Sequence, residues 1–302
     1  METKTADFPE YTDKNYEVIQ GIGLDNLAQI NNMEICGYYL KLPMEKLSVA
    51  IITLNEERNI RDALESVTWA DEIIVVDSGS KDKTIDICKE YTDKVFYNPW
   101  PGHVAQKNIA VNKTSYLWIL SIDADERVTP ALAGEIQEVL KTPGADAYAM
   151  PRHVYYLDRW INYSGWYPDY KVRLFRKDKA RWGGTNPHDV VVVKGNVAYL
   201  KGDITHYSYS DISHHVNTIN NFTTISAGEY LKLGKKAGVW NMISRPFGTF
   251  FKKYFLKQGF RDGVPGFIIA VSSAYYVFLK YAKLWELVHV TNRCNRKTQG
   301  NK

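Results

Sequence analysis

The chain is poor in cysteine: Cys36, Cys88 and Cys294 are its only three, and they form no CxxC pair and no even framework. That excludes a disulfide-stapled scaffold, and it fits a reducing compartment with Cys88 as a small core residue. No basic-then-apolar leader opens the sequence, whose first residues are polar and acidic, so the expected location is cytoplasmic. No Gly-x-Gly-x-x-Gly follows the first strand-like run and no Walker loop occurs, which argues against a dinucleotide-binding fold and a P-loop phosphate cradle. Acidic residues are nearly missing from the C-terminal stretch: over residues 231–302, 14 Lys and Arg stand against Asp262 and Glu286 alone. That stretch carries about +12 of a chain whose net charge is +4, leaving about −8 on the rest. An acidic body with a basic, aromatic tail calls for an anionic surface as partner. No nucleic-acid module accompanies the basic residues, so lipid leads over DNA or RNA.

What is present is an alternation of strand and helix. Residues 47–53 are β-rich and apolar and run into Asn55-Glu56-Glu57, after which Ile60, Leu64 and Val67 recur on one helical face. A second strand over residues 72–76 ends at Asp77-Ser78-Gly79-Ser80, and Ile85, Cys88 and Tyr91 mark a second helix. Residues 94–97 give a third strand and residues 102–110 a turn into a helix. An apolar run, residues 118–122, then ends directly in Asp123-Ala124-Asp125. Strand, helix, strand, helix, strand implies right-handed crossovers and a parallel sheet, with ligands at the carboxyl ends of the strands. All three polar clusters fall at those ends. If the backbone stays extended through Ala124, Asp123 and Asp125 point the same way, and two hard oxygen ligands suit a hydrated Mg²⁺ or Mn²⁺ carrying a diphosphate. The competing reading is a strand followed by a helix start, with Thr129 as cap and Pro130 at the first helical position. Lys107 is a candidate for phosphate charge, or an exposed helix lysine.

In combination these motifs resemble family 2 glycosyltransferases of the A-type fold. The matching segments are Thr53-Leu54-Asn55-Glu56-Glu57, the run from Val76 through Asp77 to Thr84, Gln106-Lys107-Asn108 and Asp123-Ala124-Asp125-Glu126-Arg127. Gly165-Trp166-Tyr167-Pro168-Asp169-Tyr170, Arg173-Leu174-Phe175-Arg176, His206-Tyr207-Ser208-Tyr209 and residues 274–283 extend the match. The set is similar to bacterial lipopolysaccharide inner-core β-1,4-glucosyltransferases and spans most of the chain. The resemblance implies an α/β architecture: a Rossmann-like, mostly parallel sheet flanked by helices, with a C-terminal helical segment. It implies that Thr53, Asn55 and Glu57 line the nucleotide pocket and that Asp77 hydrogen-bonds the uracil or ribose. Asp123 and Asp125 would form the metal and donor-diphosphate motif, with Mn²⁺ or Mg²⁺ as cofactor. Carboxylates can accept from ribose hydroxyls or a base N–H, and the cation offsets charge on the departing diphosphate.

The second half supplies the acceptor side. Tyr and Trp crowd residues 155–170; aromatic faces stack on sugars while their polar tips hydrogen-bond. Trp166 and Tyr167, in a loop punctuated by Gly165 and Pro168, are the acceptor candidates, against simple packing between sheet and helix. Glycines and Pro187 mark residues 181–189 as another loop. An inverting transfer needs a base opposite the leaving group. The relatives end this loop in His-Glu; here it ends in His188-Asp189, which makes Asp189 the candidate base, on a side chain one methylene shorter. His206 is a candidate third metal ligand, since imidazole tolerates Mn²⁺, or else a satisfied histidine.

From Asp211 the pattern is helical, and an uncharged run over residues 263–279, broken by Pro265 and Gly266, is slightly short for a spanning helix. Its basic flanks fit a helix lying in the headgroup layer of an anionic membrane; the alternative is a buried helix of a C-terminal bundle. The expected organisation is an N-terminal extension over residues 1–45, in which residues 36–40 could add an edge strand, a catalytic domain over 46–230 and a membrane-associating helical region over 231–302. The expected function is metal-dependent, inverting transfer of glucose from a UDP-sugar donor to a lipid-linked saccharide such as a lipopolysaccharide core heptose. The enzyme would lie peripheral to the inner face of the cytoplasmic membrane. The alternatives are transfer to polyprenyl phosphate, or a non-catalytic nucleotide-sugar-binding protein.

Overall fold

The computed structural model describes residues 44–185 and 188–291. The expected N-terminal extension up to residue 43, Cys36 and Cys294 lie outside the described residues. In chain order come β1 (Leu47–Thr53), α1 (Ile60–Glu65), β2 (Glu72–Asp77), α2 (Thr84–Lys89), β3 (Val95–Tyr97), α3 (His103–Asn112) and β4 (Trp118–Asp123). β1 is buried along its whole length, as a strand without polar alternation must be when both faces are covered. Its side chains divide by parity. Leu47, Val49 and Ile51 join a cluster with Ile60 and Leu64 of α1, and Cys88 is buried in it. Ala50 and Ile52 join Ala110 and Val111 of α3 on the other face.

These four strands are parallel, in the order β3-β2-β1-β4. The order reverses between β1 and β4, and open α/β sheets bind ligands outside the strand ends at such a switch point. The register sets Thr53 opposite Asp77 and Ile52 opposite Asp123. The three polar clusters therefore meet at one edge of the sheet.

Past β4 the sheet is mixed rather than mostly parallel. The chain turns at Ala124 and Asp125 before β5 (Glu126–Val128). Extension through Ala124, which would have aimed Asp123 and Asp125 alike, is therefore not what occurs: β5 leaves β4 to pair with a later strand. Thr129 does cap α4 (Pro130–Val139), its hydroxyl accepting from Leu132 N at 3.3 Å. β6 (Ala147–Tyr156), β7 (Arg159–Trp160) and β8 (Asp169–Arg176) follow, then β9 (Ala180–Thr185), β10 (His188–Val193), β11 (Val197–Tyr199) and β12 (Ile204–His206). β8 enters antiparallel between β4 and β6, and β12 runs parallel to β6 and antiparallel to β5. β9 and β10 form a two-stranded sheet of their own. The architecture is α/β, a mixed sheet flanked by helices, with a helical C-terminal segment.

That segment begins with α5 (Ile212–Lys232), capped by Asp211, which accepts from His214 N at 2.7 Å. α6 (Val239–Phe251) runs through a π turn, Lys252–Leu256, and a 3₁₀ turn, Gly259–Asp262, into α7 (Gly263–Glu286). A Cβ on Gly266 would meet Gly259 O at 1.9 Å, so only glycine lets α7 start so close to that turn. Asp262 is buried and anchors the start to the loop after β7, accepting from Asn162 N at 3.2 Å and Tyr163 N at 2.9 Å. The helical stretch Gly259–His289 has 31 residues and is long and apolar enough, by length and composition, to cross a membrane. It runs past Lys280, the charge that ends the uncharged run: the Lys280 and Lys283 ammonium groups both turn onto α5, donating to the Tyr230 hydroxyl at 3.3 Å and to Asn220 O at 2.6 Å.

Candidate active site

Asp123, the last residue of β4, sits between two buried cations. Lys107 Nζ of α3 lies 2.7 Å from its Oδ1 and Arg173 Nη2 of β8 lies 2.8 Å from its Oδ2. Burial alone would raise the Asp123 carboxyl; Lys107 and Arg173 outweigh it and hold the group far below the usual carboxylate range. Burial likewise opposes the Arg173 charge, but Glu126 and Asp123 overcome it and push that guanidinium up. Glu126 is fully buried, 2.6 Å from Arg173 Nη2 and 3.6 Å from Arg152 Nη1, and Arg152 pairs in turn with Asp169 at 2.8 Å. The Trp182 ring lies 4.2 Å from Lys107 Nζ and 5.3 Å from the Arg173 guanidinium carbon, adding cation–π attraction in a dry setting.

The other partner of Lys107 is Asp189, whose Oδ2 lies 2.8 Å from Nζ. One ammonium thus joins the end of β4 to the β9–β10 hairpin. Gln106-Lys107-Asn108 explains how. A helix turns about 100° per residue, so three consecutive side chains address three directions. Gln106 ties α3 to the loops after β2 and β3, donating to Ser78 Oγ at 3.0 Å and accepting from Asn98 Nδ2 at 2.7 Å. Asn108 clamps β9, donating to Trp182 O at 2.9 Å and accepting from Trp182 N at 3.0 Å. Lys107 is therefore no exposed helix lysine: it is 4% exposed and committed to two carboxylates. The side chain of His188 lies outside the described residues.

The remaining donor-side candidates shape the rim. Asp77, buried, spends both oxygens on its own loop, accepting from Gly79 N at 2.7 Å, Ser80 N at 2.8 Å and Ser80 Oγ at 2.5 Å. Gly79 has φ +101°, a conformation open to glycine. Asn55 Oδ1 accepts from Lys81 N at 2.9 Å and Glu57 Oε2 from Lys83 N at 3.2 Å, stitching the loop after β1 to the loop after β2. Thr53 Oγ1 differs: it is buried with no partner.

Asp125 lies in the turn after β4, and its Oδ2 is 3.1 Å from His206 Nε2 on β12. His206 Nδ1 is buried with no partner. Nearby, Glu56 is pushed up by burial, against the hydrogen bond from Asn59, and further by the charges of Asp125, Asp82 and Asp123. Among the described residues no group of three or more His, Cys, Asp or Glu is placed to hold a metal ion. Asp123 has both oxygens beside cations, while Asp125 and His206 bring one carboxylate and one imidazole together within reach of a small ion. A small dication accepts so few protein ligands when phosphate oxygens and water complete its shell.

The acceptor candidates face different surroundings. Trp166 packs with Tyr156 and Tyr209, ring centres 5.7 and 6.4 Å apart. Tyr167 lies against His153 at 4.2 Å, and its hydroxyl donates to Asp203 Oδ1 at 3.2 Å. Sequence reasoning gave no role to Arg173 or Glu126. The available signal was a charge standing inside a strand, between Val172 and Leu174.

The family model described as "Glycosyl transferase family 2" matches residues 48–202. The chain belongs to that family and is a glycosyltransferase. It is 34% identical over 264 residues to an uncharacterized glycosyltransferase of Rickettsia typhi, covering 81% of this chain and 88% of that one. It is 30% identical over 253 residues to the lipopolysaccharide core biosynthesis glycosyltransferase LpsC of Rhizobium meliloti, covering 81% of this chain and 94% of that one. Among solved structures, glucosyl-3-phosphoglycerate synthase from Mycobacterium tuberculosis, in complex with Mg²⁺ and UDP, is 25% identical over 36% of this chain and 44% of that chain, with a TM-score of 0.32.

Proposed function

We propose that the protein transfers glucose from UDP-glucose, with inversion, to a saccharide acceptor, a lipid-linked heptose of the lipopolysaccharide core. The observation that carries this reading is the lysine shared by Asp123 and Asp189, which sets a hairpin carboxylate beside the strand ends where a nucleotide sugar would lie. Lys107 holds Asp189 by Oδ2. The free Oδ1 takes the acceptor hydroxyl's proton as that oxygen attacks, the step a general base accelerates. Thr53, Asn55, Glu57, Asp77 and Asp123 line the donor pocket, with the unpartnered Thr53 hydroxyl as a direct contact. Lys107 and Arg173 keep Asp123 ionised in the motif that meets the donor diphosphate and its cation. Asp125 and His206 would hold Mn²⁺ or Mg²⁺, whose charge offsets that of the departing diphosphate. Trp166 and Tyr167 meet the acceptor.

The likeness to LpsC supports the lipopolysaccharide acceptor. The basic residues of 231–302 and the exposed apolar faces of α6 and α7 support a place on the cytoplasmic face of an anionic membrane; the reading keeps a catalytic domain over residues 46–230 and an N-terminal extension over 1–45. One observation favours polyprenyl phosphate as the acceptor instead: the span-length stretch Gly259–His289.

A thermal-shift screen of nucleotide sugars tests the donor, because a ligand that binds only the native state raises apparent stability. UDP-glucose with Mn²⁺ is expected to raise the melting temperature most, and Asp125→Asn to remove the metal-dependent part. If no nucleotide sugar stabilises the protein with or without the ion, the reading fails.

A further inference from the structure

A cleft of about 270 Å³ lies where α5, α6 and α7 meet the loop that carries Trp166. Trp166, Tyr209 and Phe222 form aromatic walls. Phe222 meets His103 edge-on with ring centres 6.2 Å apart, and His103 stands one turn before Lys107 on α3. Through Phe222 and His103, a ring that the charges of Asp189 and Lys107 both act on, the cleft is linked to the helix that carries Lys107.

Its hydroxyls are oriented. Thr218 donates to His214 O at 2.9 Å, Thr249 to Arg245 O at 2.8 Å and Ser273 to Ile269 O at 2.7 Å. Each proton is spent on the carbonyl one turn back along its own helix, so these oxygens have lone pairs left to offer. Acceptors set beside aromatic faces suit a ligand rich in O–H donors with flat C–H faces, which is a sugar. Lys253 adds charge to the same lining. Its ammonium donates to Ser164 O at 3.1 Å, and among the described residues no carboxylate lies within ion-pair distance of it. Burial, with Lys252 and Lys257 beside it, holds Lys253 below the ordinary lysine value; Asp169 is the opposing charge, but it is committed to Arg152 and Lys171.

We infer that this cleft is the acceptor subsite and that it takes an acidic saccharide, whose carboxylate or phosphate pairs with Lys253 Nζ while its hydroxyls donate to Thr218, Thr249 and Ser273. The inference rests on the proposed transferase reading and names the charge of its acceptor. It also makes the helical segment part of the active site as well as an attachment.

Ligand-observed NMR on the full chain tests it, with galacturonate, glucose 6-phosphate, galactose and inorganic phosphate as probes. Galacturonate and glucose 6-phosphate are expected to bind about ten- to hundredfold more tightly than galactose, the worth of one charge-assisted hydrogen bond. Lys253→Met removes that gap, Lys253→Arg keeps it, and Thr249→Val weakens every sugar alike. Stabilisation by UDP-glucose with Mn²⁺, read on the same samples, is expected to be equal in wild type and Lys253→Met. Its absence from wild type would fault the donor reading and leave the cleft to be judged by the probes. Equal binding of neutral and acidic sugars, no binding of any sugar, or a gap that survives Lys253→Met overturns the inference. Inorganic phosphate binding as tightly as glucose 6-phosphate overturns it too, since the cleft would then read anions and no sugar. If Lys253→Met fails to fold, the wild-type ranking and Thr249→Val decide.

Discussion

The site around Asp123 and the helices of the C-terminal segment place their residues in opposite ways. At the site, charge goes inside: Asp189, Lys107, Asp123, Arg173, Glu126, Arg152 and Asp169 alternate in sign, each within ion-pair distance of the next. On α6 no residue is buried, and Trp240, Ile243 and Phe247 are 75%, 59% and 72% exposed. The Phe250, Tyr254 and Phe267 rings carry the apolar face from α6 across to α7. A helix facing water shows a polar outer face, and a continuous apolar one marks an interaction surface. The difference teaches that the two regions should fail differently. Removing one ion from the network strands its neighbours in low dielectric, whereas removing an aromatic from α6 takes nothing from the core.

The largest effect is expected at the hairpin. Asp189→Asn should slow transfer by about 10²–10⁴-fold, the usual cost of a lost general base, with UDP-glucose stabilisation intact. Single-turnover rates alongside thermal shift separate the two, and a normal rate would take Asp189 out of the chemistry.

Arg173→Met comes next. It leaves Asp123 and Glu126 without their shared cation and should cost about 3–5 kcal/mol, read from the midpoint of urea unfolding. A loss below about 1 kcal/mol would mean that the partly exposed Asp123 is screened by water once its partner is gone.

A smaller effect lies between the two regions, at His215. Its Nδ1 is 2.8 Å from the Tyr156 hydroxyl, and burial, with a lesser contribution from His214, pulls the ring down to about 4. The folded state favours neutral imidazole, so this stabilisation is full above the unfolded value near 6.5. It should be lost as pH falls from there to about 4, by roughly 2–3 kcal/mol. Melting temperatures across that window should fall less steeply in His215→Asn; parallel slopes would assign the acid sensitivity elsewhere.

The smallest effect on folding should come from Trp240→Ser with Phe247→Ser. Stability should stay within about 0.5 kcal/mol, while flotation with anionic vesicles drops. Undiminished flotation would leave the basic residues as the whole attachment, and a large loss of stability would turn this face into core.

The parallel half of the fold was legible because its signals are local. Residues 47–53 and 118–122 are apolar runs that stop at polar clusters, and a strand end can be read from neighbours in sequence. The sites of Asp125 and Asp189 were legible as positions but not as geometry. Asp123 and Asp125 part company because β5 must reach β12, a partner about 80 residues further on in the chain. Arg173 lies fifty positions from Asp123, and no periodicity reports a contact made across a strand pair. α7 outran its expected length because Lys280 and Lys283 find their acceptors on α5, which only packing reveals.

The hairpin that carries Asp189 pairs with no strand of the larger sheet. A one-residue slip in one of that sheet's strands would swing every side chain to the opposite face. β9 and β10 pair as strands only with each other, yet Asn108, Lys107 and Ser121 hold the hairpin to α3 and β4. An insertion, a deletion or a longer side chain there shifts the reach of Asp189 and, through the shared Lys107, is felt at Asp123 as well. In such an enzyme a change made in the hairpin is passed to the strand end by one shared ammonium, so the two are expected to change together rather than one at a time.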